Sequence, residues 1–314
     1  MGTHLRVSVK DGIKRLPWIR GIILERERLR SELATLQEMF VPPGHFYSPI
    51  PSLDEVRRDE ATIFADFPSE IAGINLCEPD QLLLLREFMK YYDKLPFRPE
   101  KISALRYFFE NPAYRYSDAI FLYSMIRHLK PKRIIEVGSG YSSCVILDTN
   151  ELFFDGSIAC RFIDPYPNLL FSLIKEEDKR HITVIPSRLQ DVELKEFEAL
   201  EENDILSIDS THVSKINSDV NRIFFEILPR LPAGVYIHFH DIFYPFEYPK
   251  EWIYEGRGWN EAYMLRVFLQ YNGTFRIVFM NTFLERFHEE LFQNKMPLCL
   301  RDPGGSIWIR REFQ

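Results

Sequence analysis

The 314-residue sequence has no cysteine pair in CxxC spacing; its four cysteines, Cys77, Cys144, Cys160 and Cys299, are scattered. That excludes a zinc cage of paired thiolates and a disulfide framework, and points to free thiols in a reducing, cytoplasmic compartment. No run of about 18 apolar residues occurs, so no membrane span is expected. The opening MGTHLRVSVKDGIKRL lacks the apolar stretch of a secretory signal. Gly2 is followed by Arg6, where a myristoylation motif has Ser or Thr. No cluster of five or more Lys or Arg is present and the formal net charge is -7. A nucleic-acid partner is therefore not expected, because phosphates call for a basic face. Aromatic residues are plentiful instead, with 26 Phe and 15 Tyr, and hydrophobic residues make up 46% of the chain. That suffices for one large domain or a domain with an appendage.

Residues 12–40 read as a helix, with Ile22, Leu29 and Leu36 at seven-residue spacing and Leu33 between them. Arg26 interrupts the second stripe, and the pattern is short for a coiled coil. The helix packs on its own domain or forms a homo-oligomer contact. The Pro-rich stretch VPPGHFYSPIPSLDE after it must be loop or extended chain. Residues 79–94 and 116–130 have helical periodicity. Residues 1–115 thus form a mostly helical appendage, and residues 116–314 a separate domain. From 131 the texture changes. RIIEV, CRFID, HITVIPS, DILSID, GVYIHFHDI, FRIVFMN and GSIWIRR are seven apolar, β-rich runs, most of them separated by helical stretches. Nearly continuous apolar strands alternating with helices imply a doubly wound α/β fold: a mostly parallel, seven-stranded Rossmann-like sheet covered on both faces.

The first strand ends in an acid and runs into a glycine turn: Glu136, Val137, Gly138, Ser139, Gly140, Tyr141, Ser142, Ser143. Glycines there let the backbone approach a ligand, and the next helix offers free N–H groups. Open α/β sheets bind ligands at such turns, beyond the carboxyl ends of the strands. Dinucleotide enzymes also use GxG turns, but their fingerprint has a third glycine where this chain has Ser143. Asp164, at the tip of the second strand, can accept hydrogen bonds from both hydroxyls of a ribose. After the third strand, Gln190 and Asp191 can meet an adenine amino group.

EVGSGYSS, FIDP, SRLQDV, DILSIDSTH and YIHFHDI stand in the order and spacing of the class I S-adenosylmethionine (SAM)-dependent methyltransferases, which the chain resembles over roughly residues 115–311. The resemblance implies that Glu136, Gly138, Ser139 and Gly140 lie near the amino-acid part of SAM. It places Asp164 at the ribose, Gln190 and Asp191 beside adenine, and Asp209 near the methionine end and the acceptor.

Asp209 and His212 follow the fourth strand, and His240 and Asp241 follow the fifth, so the four should converge at the carboxyl edge of the sheet. Two readings stay open. In one, Asp209, His240 and Asp241 hold a divalent cation, with Mg²⁺ favoured by oxygen-rich ligands. This is similar to metal-dependent O-methyltransferases of sugars and natural products, which place an acidic pair where this chain has His240-Asp241. In the other, His212 or His240 is a general base, with Asp209 beside it. His238 reads as an interior histidine. The segment 243–263, rich in Phe, Tyr and Trp, suits a lid or acceptor wall, and Tyr114, Tyr116 and Asp118 could close over SAM. The Asn/Asp-Pro-Pro-aromatic tetrapeptide of many N-methyltransferases is absent, and IDSTH stands in its place. The expected activity is therefore SAM-dependent methylation of a hydroxyl on a small molecule or glycan. The alternatives are an NAD-dependent oxidoreductase and a non-catalytic assembly protein on the same fold.

Overall fold

A computed structural model describes residues 17–37, 39–65 and 67–313. The chain divides into two compact units, Met1–Ala65 and Asp66–Gln314. In the first, helix α1 spans Pro17–Gln37. Residues 12–16 and 38 of the expected helix lie outside the described residues, and residues 39–40 form a bend. Ile22 and Leu29 of its seven-residue stripe are exposed. The Pro-rich stretch is irregular up to Ser52, whose Oγ accepts from the Glu55 N–H to start α2, Leu53–Ile63. Asp54 and Glu55 sit in that first turn, where a carboxylate meets the positive end of the helix dipole.

The second unit opens with α3 (Glu78–Tyr92) and α4 (Tyr116–Leu129). The alternating part then runs β1 (Arg133–Val137), α5 (Tyr141–Phe154), β2 (Ala159–Ile163), α6 (Asn168–Leu173), β3 (Thr183–Ile185), α7 (Lys195–Glu198) and β4 (Ile205–Ile208). It continues with α8 (Asp219–Arg222), β5 (Tyr236–His240), α9 (Lys250–Tyr254), α10 (Glu261–Leu269), β6 (Phe275–Met280), α11 (Asn281–Phe287), α12 (Glu289–Lys295) and β7 (Ser306–Arg311). The seven strands form one sheet in the order β3-β2-β1-β4-β5-β7-β6. β1 to β5 pair in parallel, and β7 lies antiparallel between β5 and β6. The expected Rossmann-like architecture is therefore present. The central strands are buried along almost their whole length, which is why they read as unbroken apolar runs.

The compact unit begins at Asp66, ahead of the boundary expected at 115/116. Leu85 and Phe88 of α3 are fully buried, and the helix packs against both α4 and β6. Gln81 ties it further, its Oε1 accepting from the Met280 N–H at 2.8 Å. Arg106 makes a second tie. Its guanidinium, only 3% exposed, meets Asp148 at 2.7 Å, Glu151 at 2.7 Å and Asp178. Asp148 in turn accepts from the backbone N–H of Arg106 and Tyr107. Buried charge is tolerated here because every partner is present.

α4 is buried nearly all round, as an apolar helix in the middle of a unit must be. All four cysteines are buried free thiols. Among the described residues, no helix is long and apolar enough to cross a membrane.

Candidate active site

β1 delivers Glu136 into the interior, where its Oε2 accepts from Ser143 Oγ, and the same hydroxyl accepts from the Gly140 N–H at 3.0 Å. Ser143 thus closes the turn where a dinucleotide fold has glycine. Glu136 Oε1 is buried without a hydrogen-bond partner. Burial pushes this carboxyl up to about 8, although the hydroxyls of Ser143 and Ser142 hold it lower than burial alone would.

Gly138 has φ +82°, and a Cβ there would stand 2.1 Å from the Asp209 carbonyl oxygen. Only glycine lets the β1 turn lie this close to the end of β4. Ser139 Oγ donates to Asp164 Oδ2 at 2.6 Å, and Asp164 Oδ1 accepts from the Tyr166 N–H at 2.7 Å, so the half-buried carboxylate is aimed beside the turn. Gln190 and Asp191 are engaged elsewhere: Gln190 Nε2 donates to the Asn217 carbonyl, and exposed Asp191 pairs with Arg188 at 2.8 Å.

The ends of β4 and β5 bring Asp209, His212, His240 and Asp241 together. His212 Nε2 stands 3.3 Å from Asp209 Oδ1 and 3.6 Å from Asp241 Oδ2. His240 Nδ1 stands 3.5 Å and 3.7 Å from the same two oxygens. Each imidazole is backed by a buried carboxylate. Glu261 Oε2, at the start of α10, lies 2.9 Å from His212 Nδ1, and Asp118 Oδ2, in the first turn of α4, lies 3.3 Å from His240 Nε2. Ser306 Oγ, the Gly305 N–H and Asn281 Nδ2 all donate to Asp118, fixing it in place. His212 and Asp241 both hold left-handed backbone conformations, each at φ +58°. Such strain in non-glycine residues gathers at functional sites.

Burial opposes charge on the two rings, and the carboxylates outweigh it. His240 is held well above the usual imidazole range by Asp241, Asp209 and Asp118, and His212 rises to about 9 through Asp209 and Glu261. Burial also resists ionisation of Asp209, but the two histidines drive its carboxyl down. His238 lies behind the cluster as an interior residue. Its Nδ1 meets Ser207 Oγ at 3.0 Å, and burial lowers it to about 3, so the ring is neutral.

Aromatic rings line the cluster. Tyr114 packs 5.0 Å from the His240 ring, and its buried hydroxyl has no hydrogen-bond partner. Trp259 covers His212 at 4.3 Å, Trp252 meets Trp259 at 5.2 Å, and the Arg257 guanidinium lies 4.0 Å over Trp252. Tyr244, Phe246 and Tyr248 of the same segment are core residues. Asp118 and Tyr116 do different work from the closure expected of them: Asp118 supports His240, and Tyr116 stacks on Phe109. Glu261 carried no sequence signal as a site residue, and Asp118 none as a support for His240, since each is a single acid in the first turn of a helix.

A strand-turn-helix with a buried acid and an obligate glycine, on a sheet of this order, is the architecture of a methyltransferase domain. Residues 135–242 match the family model described as Methyltransferase domain. An uncharacterized protein of Archaeoglobus fulgidus is 37% identical over 200 residues, which is 61% of this chain and 83% of that protein. Among solved structures, the chain is similar to the Podospora anserina methyltransferase PaMTH1 bound to S-adenosylhomocysteine (SAH), at 15% identity and a TM-score of 0.42, covering 78% of this chain and 99% of that one. It is also similar to the O-methyltransferase TomG of Streptomyces achromogenes in complex with SAM, at 13% identity and a TM-score of 0.41, covering 83% and 96%. The chain belongs to the class I SAM-dependent methyltransferase family.

Proposed function

We propose that this enzyme moves the methyl group of SAM to a hydroxyl oxygen of a small molecule or glycan, at an acceptor site that uses a divalent cation. The observation that carries the reading is His240 Nδ1. It is buried, lacks a hydrogen-bond partner and faces Asp209 and Asp241. A lone imidazole nitrogen aimed between two carboxylates fits a cation held by Asp209, His240 and Asp241.

In this reading Glu136, Gly138, Ser139 and Gly140 bind the amino-acid end of SAM, with the Glu136 carboxylate meeting its ammonium. Asp164 takes the ribose hydroxyls, Gln190 and Asp191 flank adenine, and Asp209 joins the cofactor end to the acceptor end. When bound, a cation acidifies an acceptor hydroxyl. The chain's own part is to align acceptor oxygen, methyl carbon and sulfur, and to exclude water. Trp252 and Trp259 wall the acceptor side. The oxygen–carbon bond forms as the sulfur–carbon bond breaks, the hydroxyl proton passes to solvent water, and SAH and a methyl ether result.

The Glu261–His212 pair favours a second reading, in which His212 takes the hydroxyl proton as a general base without a cation. Chelation separates the two. Turnover of SAM with an accepted hydroxyl substrate should fall to background after exhaustive chelation and return on adding a divalent ion. Full activity in the stripped protein supports the base.

A further inference from the structure

Helix α1 carries large apolar side chains that its own chain leaves uncovered. Ile22 and Leu29, one heptad apart, are 60% and 53% exposed, and Trp18 beside them is 65% exposed. In water such a row costs free energy until another surface covers it. We propose that the covering surface is the same helix of a second copy, so that two chains join through α1 as a parallel, in-register, two-stranded coiled coil.

The first argument is register. With Ile22 and Leu29 at d, the a and d positions of α1 are Ile19, Ile22, Arg26, Leu29, Leu33 and Leu36. All but Arg26 are apolar, at the alternating spacing that keeps one seam turned toward a partner helix. The outer face differs in kind. Arg20, Glu27 and Arg28 stand at b and c, and Leu24, at f, is the single large apolar residue there.

The second argument is charge, and it selects both the occupant and its direction. The g positions beside the seam carry Glu25 and Glu32, and the e positions carry Arg30 and Gln37. In a parallel pair each g residue meets the next e residue of the other helix. Glu25 then faces Arg30, and Glu32 faces Gln37, on both sides of the seam because the pair is symmetric. An antiparallel pair would set g against g and e against e, glutamate on glutamate and arginine on arginine. Nearer the N-terminus Trp18 at g meets Ile23 at e, which widens the apolar seam. A second copy of α1 thus supplies both the apolar and the charged complement that the first presents.

Arg26 interrupts the seam, and the parallel pair gives it a place. Its aliphatic stem lies along the apolar surface while the guanidinium turns outward to Glu25 of the second copy. A single polar residue at an a position lowers stability but fixes register and strand number. Because α1 has only 21 residues, the association should be weak and depend on concentration.

Sedimentation equilibrium of the full chain, from about 1 to 100 µM, tests the proposal. The mass should pass from one chain toward two as concentration rises. Leu29→Lys puts a charge in the seam and should weaken association roughly 100-fold or more, leaving a monomer. Leu24→Lys makes the same change on the outer face and should leave the dimer intact. Both residues are exposed, so neither variant disturbs a core. Glu25→Lys sets like charges on both sides of the seam and should weaken association roughly threefold or more, and adding Arg30→Glu should recover most of the loss. A wild-type chain that stays monomeric at the highest concentration overturns the proposal. A dimer that survives Leu29→Lys, or that Leu24→Lys disrupts as fully, also overturns it, because the interface then lies elsewhere. Association that Glu25→Lys fails to weaken overturns the parallel pairing, and a mass that levels off above two chains overturns the two-stranded form.

Discussion

The Asp118 carboxylate meets His240 Nε2 at 3.3 Å, across 122 residues of chain. This contact ties α4 to the end of β5 and decides which nitrogen of His240 faces Asp209 and Asp241. Asp118 also accepts from Ser306 and Asn281 and from the Gly305 backbone, all within a buried pocket. Asp118→Ala leaves those donors and an imidazole without their acceptor. Removing one partner of a buried ion pair costs about 3–5 kcal/mol, so urea unfolding of the variant should show a loss of that order. A loss under about 1 kcal/mol would mean that water replaces the carboxylate and the contact is incidental.

How far the sequence disclosed this site depends on where its parts lie in the chain. Glu136, Gly138 and Ser143 are contiguous, so the strand, turn and helix that hold them spell out one local device. Asp209 with His212, and His240 with Asp241, were legible as two strand ends, because adjacent parallel strands deliver their carboxyl termini to one edge. Asp118 and Glu261 were not legible as a pair of supports. They reach the histidines from separate helices, and a lone acid in a first turn reads as a response to the helix dipole. The place of residues 66–115 was also hidden: their helical periodicity announces a buried face but does not say what covers it. Gln190 and Asp191 remain assigned by resemblance, since their side chains are held by Asn217 and Arg188.

The Gly138 turn should tolerate no side chain. A Cβ would overlap the Asp209 carbonyl oxygen, and φ is +82°. Gly138→Ala must shift β1 from β4 or strain the backbone by about 1–3 kcal/mol. SAH affinity should drop roughly tenfold or more. Unchanged affinity by calorimetry would place the cofactor somewhere other than this turn.

Asp164 offers a sharper probe of how the ribose is held. Hydrogen bonds to a charged group are worth about 1.5–3 kcal/mol. Asp164→Ala should therefore weaken SAH binding by roughly 10- to 150-fold. Ser139→Ala, which removes only the hydroxyl bonded to that carboxylate, should have a smaller effect. Equal losses in both variants would argue that Asp164 merely braces the turn.

Glu136 gives a pH signature in the unliganded protein. Burial raises its carboxyl from an ordinary value of 4.5 to about 8. Between those values the folded chain holds a proton that the unfolded chain has released, so stability falls as pH rises across the window and levels off above it. Glu136→Gln is neutral throughout. The difference in Tm, variant minus wild type, should grow from pH 5 to pH 8 and then stay constant. A difference independent of pH would mean that Glu136 is ionised in the folded protein across that range.

The central claim is that the turn at Gly138 binds the SAM cofactor, and titration calorimetry of the full chain with SAH tests it most directly. The account predicts one SAH bound per chain, competition by SAM, little binding of NAD, and loss of the SAH signal in Gly138→Ala. Tight NAD binding without SAH binding would contradict it.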